Sequence, residues 1–574
     1  MCTSVFTKEN LHNLPSQDQR FPSMDHISFG EEGIKKLLRN VNPKKAGGPD
    51  ETPARFLKET SDQLAKVYRH LFQQSYDTCQ VPTSWTHALV CPIFKKGQSS
   101  LPENYRPVSL TAIPCKLMQH IIISKVWEHY NRHSIITSKQ HGFRWGMSCE
   151  TQLLEAIQDW TEIMDKGQRQ VDIILLDFSK AFDMVPHERL LLKLKTYGIT
   201  GNTNNWIRGF LTSRTHEVIV NGSKSNRHQV TSGVPQGTVL GPLLFLTYIN
   251  DIELGLQSTI RLFADDSAIY REINSVDDAI ILQQDLFKLQ EWTHLWQMSF
   301  NVKKCKALRI TRKTKNKVDF TYCMSTPSSQ TDYTPSSQVI HSAKESIHTI
   351  TPNENFTPLE EISQDKYLGV ILDNKLSFNH HIDNIVCKAT RLLNLCRRNL
   401  YMCPMEIKET AYKTLVLPHL SYASAAWSPF TAKNINKVEQ IQRRAARFVL
   451  GNYTYGTTCN LTHQMSEILK WPTLQHRRAA HDVNIFFKIL NNQVGINLPS
   501  IVKPSPRHPT RFLHIQATHS EAYRYSFFPR TIRLWNQLPV EIKQSTTYPQ
   551  FKSQSSNYIN TRSWIKINNT WTLY

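Results

Sequence analysis

Two adjacent carboxylates, Asp265 and Asp266, lie between two short apolar runs in the segment RLFADDSAIY, residues 261–270. Apolar residues on both sides of a short polar centre predict a β-hairpin with the carboxylates at its turn. Asp177 ends another apolar run, VDIILLD, 88 residues before Asp265, and this run predicts a buried strand. A fold that brings the three together would offer carboxylate oxygens, which hard divalent cations prefer as ligands.

Phosphoryl transfer to a growing nucleic-acid strand is the chemistry that such a carboxylate set would support. That reaction uses two divalent cations about 4 Å apart, one at the attacking 3′-hydroxyl and one at the incoming triphosphate. Three buried carboxylates without cations would be costly. We therefore predict that Asp177, Asp265 and Asp266 bind two Mg²⁺ ions, with Mn²⁺ as the alternative metal. Neighbouring strand residues point to opposite faces, so Asp266 shares the metals only if the turn bends it inward, and Asp265 is the stronger candidate.

A second acidic pair, Asp277 and Asp278 in SVDDAI, limits what adjacent carboxylates can prove. This pair precedes an amphipathic run and predicts the solvated start of a helix. Asp177 alone is equally consistent with an Asp that ends a strand or caps the following helix. The prediction of a metal site therefore depends on the whole set and not on any one carboxylate.

The pattern of apolar residues predicts an α+β fold around these carboxylates. Helices are predicted at EEGIKKLLRNV, ARFLKETSDQLAKVYRHLFQQSY, TVLGPLLFLTYINDIEL, SVDDAIILQQDLFKLQEWTHLWQ and from about residue 381 to 450. Strands are predicted at ALVCPIFKKG, VDIILLD, HEVIVNG, HQVTSGVPQG, the two halves of RLFADDSAIY, and DKYLGVILDNKLSF. The stretch 313–358 is rich in Ser, Thr, Pro and Gln, contains TPSSQ twice, and predicts a disordered insertion.

Composition indicates a polyanionic partner. The 574 residues include 68 Lys and Arg against 47 Asp and Glu, a formal charge of +21. Such a protein binds nucleic acid with counterion release from the phosphates, and its affinity falls steeply with salt. A solvated basic surface explains the same excess equally well when charge is considered alone.

Cysteine spacing and apolar runs bear on location. No cysteine pair has C-x-x-C spacing, and Cys387, Cys396 and Cys403 lack a suitably spaced histidine, so buried thiols are expected rather than zinc. The N-terminus has no signal-peptide pattern, and no apolar run approaches the roughly 18 residues that span a bilayer. We therefore expect an intracellular protein that is neither secreted nor membrane-spanning.

Several ordered blocks resemble the reverse transcriptases of non-LTR retrotransposons, of the LINE type and its jockey-like group. The catalytic blocks of that family resemble DFSKAFDMVPHERLL, SGVPQGTVLGPLLFLTYINDI, FADD, FNVKKCKALRI and KYLGVILDNKLSF. Earlier blocks resemble NPKKAGGPDETPARFLK, ENYRPVSLTAIPCKLMQHII and HGFRWGMSCETQLL, and the family's ending resembles RTIRLWNQLPVEI. The blocks cover most of the chain and are highly specific in combination, although each alone is weak.

The resemblance implies roles for the catalytic residues. Asp177 and Asp265 would be the principal metal ligands, with Asp266 as the third carboxylate of the set. Phe182, five residues after Asp177, would stack near the sugar and exclude a 2′-hydroxyl, which makes deoxynucleotides the expected substrate. Ordinary core packing is the alternative for Phe182.

The resemblance also implies nucleotide contacts. Gln236 in PQG would contact the incoming nucleotide, while Gly233 and Gly237 allow the backbone to approach it closely. Arg106 in NYRP would bind triphosphate oxygens as a fixed cation, although a surface arginine ahead of a proline is an alternative. Lys304 in VKKC would assist near the pyrophosphate.

The segment after the insertion is expected to contact the primer and the duplex. Tyr367, Leu368 and Gly369 in YLGV would form a hairpin that supports the primer end, with a buried edge strand as an alternative that does not exclude it. Arg443 and Arg444, in KVEQIQRRAARFVLG, are candidates for backbone phosphate contacts in a helical thumb. A solvated basic stripe on a packed helix explains these arginines almost as well.

The resemblance implies a right-hand polymerase of fingers, palm and thumb, followed by a mainly helical C-terminal region. The expected divisions are a disordered lead at 1–28, a helical extension at 29–80, fingers and palm at 81–375 with the insertion at 313–358, a thumb at 376–455 and a C-terminal region at 456–574. The expected activity is RNA-directed DNA synthesis at a DNA 3′ end. The expected partners are an RNA template, a DNA primer or nicked target DNA, and deoxynucleoside triphosphates, in the nucleus or cytoplasm, with protein partners open.

Two other readings remain at this stage. A catalytically silent nucleic-acid-binding relic of such an element is the main alternative, and a viral RNA-dependent RNA polymerase is a distant one that Phe182 and SGVPQG oppose. Complete elements of the family carry an endonuclease ahead of the polymerase, whereas only about 30 residues precede the first block here. We expect from this that the chain alone does not nick supercoiled DNA.

Overall fold

The structure is a computed structural model of the chain, and it describes residues 6–16, 18–167, 169–313, 316–325, 356–452, 468–517, 519–567 and 570–573. Helices and strands are both present along the chain, so the predicted mixed α and β composition is confirmed. None of the helices in the described ranges combines the length and the apolar content that crossing a bilayer requires.

The helices occur in two sets, before and after residue 300. The first set is α1 (Glu31–Arg39), α2 (Ala54–Glu59), α3 (Ser61–Asp77), α4 (Thr83–Thr86), α5 (Ile113–Arg132), α6 (Cys149–Asp165), α7 (Ala181–Met184), α8 (His187–Thr196), α9 (Gly201–Thr212), α10 (Leu240–Ile249) and α11 (Val276–Leu295). The second set is α12 (Asn379–Leu400), α13 (Met405–Ala411), α14 (Leu417–Ser421), α15 (Ser424–Trp427), α16 (Ala432–Leu450), α17 (Leu474–Leu490), α18 (Glu521–Arg524), α19 (Phe527–Gln537), α20 (Val540–Lys543) and α21 (Tyr548–Asn560).

The strands form two five-stranded sheets and several hairpins. They are β1 (His87–Phe94), β2 (Tyr105–Leu110), β3 (Gln170–Leu176), β4 (Thr215–Val220), β5 (Ser223–Lys224), β6 (His228–Gln229), β7 (Thr259–Phe263), β8 (Asp266–Glu272), β9 (Lys306–Thr311), β10 (Cys323–Ser325), β11 (Phe356–Pro358), β12 (Glu360–Ile362), β13 (Gln364–Tyr367), β14 (Val370–Asp373), β15 (Pro504–Ser505), β16 (His508–Phe512), β17 (Trp564–Ile567) and β18 (Thr570–Leu573).

The central sheet has the order β12-β9-β3-β8-β7 and is covered on both faces. Successive side chains of β3 point to opposite sides, as strand geometry requires. Ile174 and Leu176 therefore enter a core shared with α5, α8, α9 and α10, whereas Val171 and Ile173 enter a second core shared with α6, α12 and α16. Burial on both faces explains why the strand reads as a continuous apolar run.

The other five-stranded sheet, here called the N-terminal sheet, joins β1 to β2 on one side and to β4 on the other, with β5 and β6 beside β4. The β1–β2 hairpin is antiparallel, and β1 runs parallel to β4.

Helices α17, α19 and α21 build a third core, which Leu154 of α6 also enters. Asp165 at the end of α6 fixes this region, because its Oδ1 accepts from the backbone N–H groups of His519 and Ser520 at 3.1 and 2.9 Å.

Residues 6–16, the first described part of the segment 1–28 that the sequence predicts as a disordered lead, contact Arg189 of α8. Arg189 is 2% exposed, and its guanidinium donates to the carbonyl oxygens of Asn10 and Asn13, both at 2.9 Å. Glu9 lies 3.4 Å from the same guanidinium. A buried cation needs such partners, and the polar lead supplies them, which holds residues 6–16 against the central part of the protein.

The stretch predicted as a disordered insertion, 313–358, has ordered ends. β10 and β11 pair antiparallel from Cys323–Pro358 to Ser325–Phe356. The Gln283 side chain of α11 bonds both the N–H and the carbonyl oxygen of Cys323, at 2.9 and 2.8 Å, so the first of these strands is fixed to that helix. Residues 326–355, which include both TPSSQ copies, lie outside the described residues.

Candidate active site

The hairpin of β7 and β8 carries two of the three predicted carboxylates at its turn. Phe263 pairs with Asp266, so Ala264 and Asp265 form a two-residue loop. Ala264 has φ of 54°, the left-handed region that two-residue hairpin loops usually fill with glycine, asparagine or aspartate. The predicted hairpin is confirmed, and its turn carries an alanine in a backbone conformation that disfavours it.

Asp177 directly follows β3, the strand that pairs with β8 in the central sheet. The final β3–β8 pair is Leu176–Ser267, so Asp177 follows at the level of Asp266. Desolvation and then repulsion from Asp177 raise the pKa of Asp265. Desolvation, followed by the charges of Asp265 and Asp177, raises the pKa of Asp266 to about 6, although this residue keeps exposed surface. The three carboxylates are therefore close enough to act on one another.

The three carboxylates do not by themselves form a complete set of metal ligands. Among the described residues, no group of three or more His, Cys, Asp or Glu side chains has the spacing that would hold an ion. Lys304, in the 3-10 turn Val302–Lys304, instead places its ammonium nitrogen 3.2 Å from Oδ2 of Asp177. The donor set still fits a hard divalent cation, since its oxygens suit one and its charge would relieve the repulsion that raises the pKa of Asp265 and Asp266.

Two cations of the β1–β2 hairpin act on the same carboxylates. Arg106 lies in β2 opposite Ile93, and Lys95 follows β1, where its N–H donates to the carbonyl oxygen of Asn104 at 2.8 Å. The charges of both lower the pKa of Asp265 and Asp266, against the larger effect of desolvation. Arg106 was a predicted site residue. Lys95 was missed, although FKKG at the end of a predicted strand could have suggested it.

Phe182 is only partly buried. Its ring stacks on Phe245 of α10, with centroids 4.4 Å apart and an interplanar angle of 15°, and its other neighbour is the exposed Phe143 at 6.1 Å. One face of the Phe182 ring is therefore packed against the core, as the alternative of ordinary core packing predicts. The ring keeps part of its surface exposed, and its role toward the sugar stays a prediction.

Gln236 lies in a loop that contacts both α7 and the N-terminal sheet. Its carbonyl oxygen accepts from the N–H of Ser109 in β2 at 2.8 Å, while its side-chain Nε2 donates to Oδ1 of Asp183 at 3.1 Å. Gly237 (φ 94°) would place a Cβ 2.9 Å from the Ser109 carbonyl oxygen, and Gly233 (φ 91°) would place one 2.7 Å from that of Asp183. The predicted strand HQVTSGVPQG pairs only at His228–Gln229, and the rest is this loop. Sequence reasoning missed Asp183.

The YLGV segment forms the predicted hairpin between β13 and β14. Leu368 and Gly369 occupy its turn with φ of 45° and 89°. Tyr367 is 4% exposed and its hydroxyl accepts from Nε2 of Gln152 at 3.2 Å, so the buried-strand reading holds for this side chain. The hydroxyl of Tyr422 donates to the Leu368 carbonyl oxygen at 3.0 Å, which ties the turn to the helical region after α14.

Asp277 and Asp278 take the place that the sequence predicted, at the start of α11. Ser275 is the N-cap, and its backbone N–H donates to Oδ2 of Asp278 at 3.1 Å in a capping box.

Arg443 and Arg444 lie on α16, half-buried and exposed respectively, on a helix whose other face is packed in the core. Phosphate contacts by these arginines stay a prediction.

Residues 93–372 of the chain match the model of the family described as reverse transcriptase (RNA-dependent DNA polymerase). This range contains β2, the whole central sheet, the three carboxylates and the YLGV hairpin. The resemblance that the sequence blocks indicated is thereby confirmed for the part of the chain that holds the candidate site.

The relatives come from mobile elements. The chain is 26% identical over 449 residues to the RNA-directed DNA polymerase from mobile element jockey of Drosophila melanogaster, which covers 76% of this chain and 45% of the relative. It is 27% identical over 504 residues to the probable RNA-directed DNA polymerase from transposon X-element of the same species, and this alignment covers 84% of this chain and 51% of the relative. The probable RNA-directed DNA polymerase from transposon BS of that species is 25% identical over 453 residues, and this alignment covers 74% of this chain and 45% of the relative. The chain thus spans about half the length of the curated relatives it matches, which are named as RNA-directed DNA polymerases, or probable ones, of a mobile element and of transposons.

Proposed function

We propose that the chain is an RNA-directed DNA polymerase that extends a DNA 3′ end on an RNA template. The observation that carries the proposal is the register of the central sheet, which places Asp265 and Asp266 at the β7–β8 turn and Asp177 at the end of the neighbouring strand β3, level with Asp266. The charges of Arg106 and Lys95 act on the two turn carboxylates from the β1–β2 hairpin. Carboxylates bind the divalent metal ions that accompany a nucleoside triphosphate. Basic side chains opposite the carboxylates can bind the phosphate oxygens of the same nucleotide.

Nucleotidyl transfer at this site forms a bond between the primer 3′-oxygen and the α-phosphorus, and it breaks the bond from that phosphorus to the bridging oxygen of the released pyrophosphate. Asp177, Asp265 and Asp266 would hold two divalent ions, Mg²⁺ or Mn²⁺, as ligands. When bound, such ions lower the pKa of the 3′-hydroxyl and neutralise charge on the phosphates. The protein must therefore keep the three carboxylates ionised and aimed at one region.

The neighbouring residues would place the nucleotide. Arg106 and Lys95 would contact triphosphate oxygens from the β1–β2 hairpin, because their charges already act on the metal-binding carboxylates. Phe182 would offer its free surface to the sugar and exclude a 2′-hydroxyl. Gln236, fixed by Asp183 and Ser109, would contact the nucleotide where Gly237 lets the backbone come close.

Three parts of the fold would correspond to the palm, fingers and thumb. We assign the central sheet and α6 to the palm, the N-terminal sheet with α5 to the fingers, and α12–α16 to the thumb. The β13–β14 hairpin would support the primer end, since Tyr422 ties its turn to the proposed thumb. The partners would be an RNA template, a DNA primer and deoxynucleoside triphosphates, in the nucleus where the primer is chromosomal DNA.

Primer extension on poly(rA)/oligo(dT) with dTTP and Mg²⁺ tests the proposal. Asp265→Asn keeps the side-chain size and removes the charge, so extension is expected to fall at least about 100-fold. The matched control is Asp277→Asn, because Asp277 belongs to the acidic pair at the start of α11, and this variant should extend normally. Equal extension by wild type and Asp265→Asn, or none by the wild type, would rule out the activity.

A further inference from the structure

Residues 139–142 lie beside the carboxylate hairpin as an added edge segment. The N–H of Leu262 in β7 donates to the carbonyl oxygen of Lys139 at 3.0 Å, and the N–H of His141 donates to that of Leu262 at 2.9 Å. His141 is fully buried and reaches α6, with Nδ1 2.8 Å from Oγ1 of Thr151 and Nε2 3.3 Å from a carboxylate oxygen of Glu155. The segment is therefore fixed to the hairpin on one side and to α6 on the other.

Gln140, in the middle of this segment, reaches the turn itself. It is 1% exposed, and its Oε1 accepts from the N–H of Ala264 at 2.9 Å and from that of Gly142 at 2.7 Å. The segment packs directly on the turn backbone, since a Cβ at Gly142 would lie 2.4 Å from the Ala264 nitrogen. The residue that Gln140 holds is the one immediately before Asp265.

Ala264 needs such support. Its φ of 54° is left-handed, and that conformation is unfavourable for a residue with a Cβ. If the turn relaxed, Asp265 and Asp266 would change direction together, because the backbone of the two-residue loop sets where both side chains point. A buried acceptor on the Ala264 amide opposes that relaxation.

We propose that Gln140 is a positioning residue for the metal-binding carboxylates. Its carboxamide oxygen holds the Ala264 amide and so keeps the turn in the conformation that aims Asp265 and Asp266 toward Asp177. Gln140 acts through the backbone of Ala264 and not by contact with an ion. The proposal rests on the proposed function, since it assumes that these carboxylates bind the divalent ions.

The chain supplies a matched control in Gln119. This residue is also fully buried, and its Oε1 also accepts from two backbone N–H groups, those of Val239 at 3.0 Å and Leu240 at 3.1 Å. Those groups lie at the start of α10 and not in the carboxylate turn. Gln119→Leu and Gln140→Leu each remove two hydrogen bonds to backbone N–H groups, and Gln119→Leu also removes the bond from Nε2 to Sγ of Cys115 at 3.1 Å. Only Gln140→Leu acts at the turn of the proposed metal site.

The test measures Mn²⁺ binding to the full chain, without nucleic acid or nucleotide, from the electron paramagnetic resonance signal of free Mn²⁺. Gln140→Leu is expected to weaken Mn²⁺ binding about tenfold, the equivalent of one backbone hydrogen bond. Gln119→Leu should stay within about twofold of the wild type, while both variants lose similar unfolding free energy in guanidinium chloride. Gln140→Glu keeps an acceptor oxygen and should restore most of the affinity.

Primer extension adds a kinetic readout. Gln140→Leu should raise the Mg²⁺ concentration for half-maximal rate about tenfold and leave the KM for dTTP near that of Gln119→Leu. If Gln140→Leu does not fold, Gln140→Asn, whose shorter amide cannot reach the Ala264 nitrogen, is measured in its place with the same expectation.

The outcomes separate this proposal from the polymerase proposal. Equal Mn²⁺ affinities for the Gln140 and Gln119 variants would make Gln140 an ordinary buried amide and overturn its positioning role. Failure of Asp265→Asn to weaken Mn²⁺ binding would instead overturn the metal-binding assignment on which the inference rests. A selective loss in Gln140→Leu, together with rescue by Gln140→Glu, supports the positioning role.

Discussion

The ammonium nitrogen of Lys304 lies 3.2 Å from Oδ2 of Asp177, with 65% and 38% of the two side chains exposed. The lysine thus occupies one carboxylate oxygen that the polymerase proposal gives to a divalent ion. An exposed ion pair of this kind contributes only about 0–1 kcal/mol, so an ion can displace it. The ion pair also offsets the negative charge of Asp177.

Lys304→Met is predicted to lower the Mg²⁺ concentration for half-maximal primer extension by about two- to fivefold, because the ion no longer competes with an ammonium group. Titration of the extension rate with Mg²⁺ measures this. Lys303→Met is the control, since Lys303 belongs to the same 3-10 turn and carries the same charge. An equal shift in both variants would point to a general effect of surface charge.

Phe182→Val is predicted to reduce the preference for dTTP over UTP by about 10- to 100-fold, since a smaller side chain leaves room for the 2′-hydroxyl. The ratio of kcat/KM for the two nucleotides measures it. Phe143→Val is the matched control, because Phe143 is an exposed phenylalanine beside the same ring and outside its stack on Phe245. A comparable loss in the Phe143 variant would assign the selectivity to the loop and not to Phe182.

Asp183→Ala is predicted to raise the KM for dTTP about three- to tenfold, because Gln236 loses the acceptor that orients its amide. Steady-state kinetics with kcat and KM resolved separately measures this change. Asp183→Asn keeps a carbonyl acceptor and should recover most of the wild-type KM. If the alanine and asparagine variants behave alike, the hydrogen bond to Gln236 does not position the nucleotide contact.

The parts of the site that the sequence predicted correctly are those determined by neighbouring residues. The apolar runs around Asp265 fix the hairpin, and the run before Asp177 fixes β3, because both patterns follow from burial of each strand face. Asp278 could be placed at a helix start because a capping box is a local motif with Ser275 three residues away.

The parts that the sequence could not predict depend on contacts between distant segments. Gln140 and Ala264 are 124 residues apart, and Gln236 and Asp183 are 53 apart. A polar glutamine in a loop carries no pattern that marks it as buried against a turn. The contacts of the lead are of the same kind, because its polar composition predicts disorder, whereas the carbonyl oxygens of Asn10 and Asn13 accept from the distant, buried Arg189.

Tyr422→Phe is predicted to shorten the products made per binding event, because the β13–β14 hairpin loses the hydrogen bond to the Leu368 carbonyl oxygen. The expected loss of unfolding free energy is about 0.5–1.5 kcal/mol. Gly369→Ala should be more severe, since φ is 89° and the new Cβ would lie 2.7 Å from Cε1 of Tyr422.

Extension in the presence of a heparin trap, with product lengths read on a sequencing gel, measures the effect of the Tyr422 change. Tyr401→Phe is the control, because Tyr401 is 65% exposed and lies at the end of α12, away from the turn. Unchanged product lengths for Tyr422→Phe and Gly369→Ala would contradict a role of this hairpin at the primer end.

His481 of α17 joins the C-terminal region to the proposed palm, with Nε2 2.9 Å from a carboxylate oxygen of Glu150 in the first turn of α6. Burial lowers the pKa of His481, but the hydrogen bond and charge of Glu150 outweigh it and raise that pKa above its ordinary value. A raised histidine pKa stabilises the folded state fully below the unfolded pKa of about 6.5, and the contribution is lost as pH rises through the folded pKa.

The difference in unfolding free energy between the wild type and His481→Gln is therefore predicted to be larger at about pH 5.5 than at about pH 8.5. Guanidinium chloride unfolding at the two pH values measures it. His476 of the same helix is the matched control, because burial lowers its pKa, so the difference for His476→Gln should change in the opposite direction. A pH-independent difference for His481→Gln would mean that the imidazole is not charged in this contact, and that the hydrogen bond to Glu150 is made by a neutral histidine.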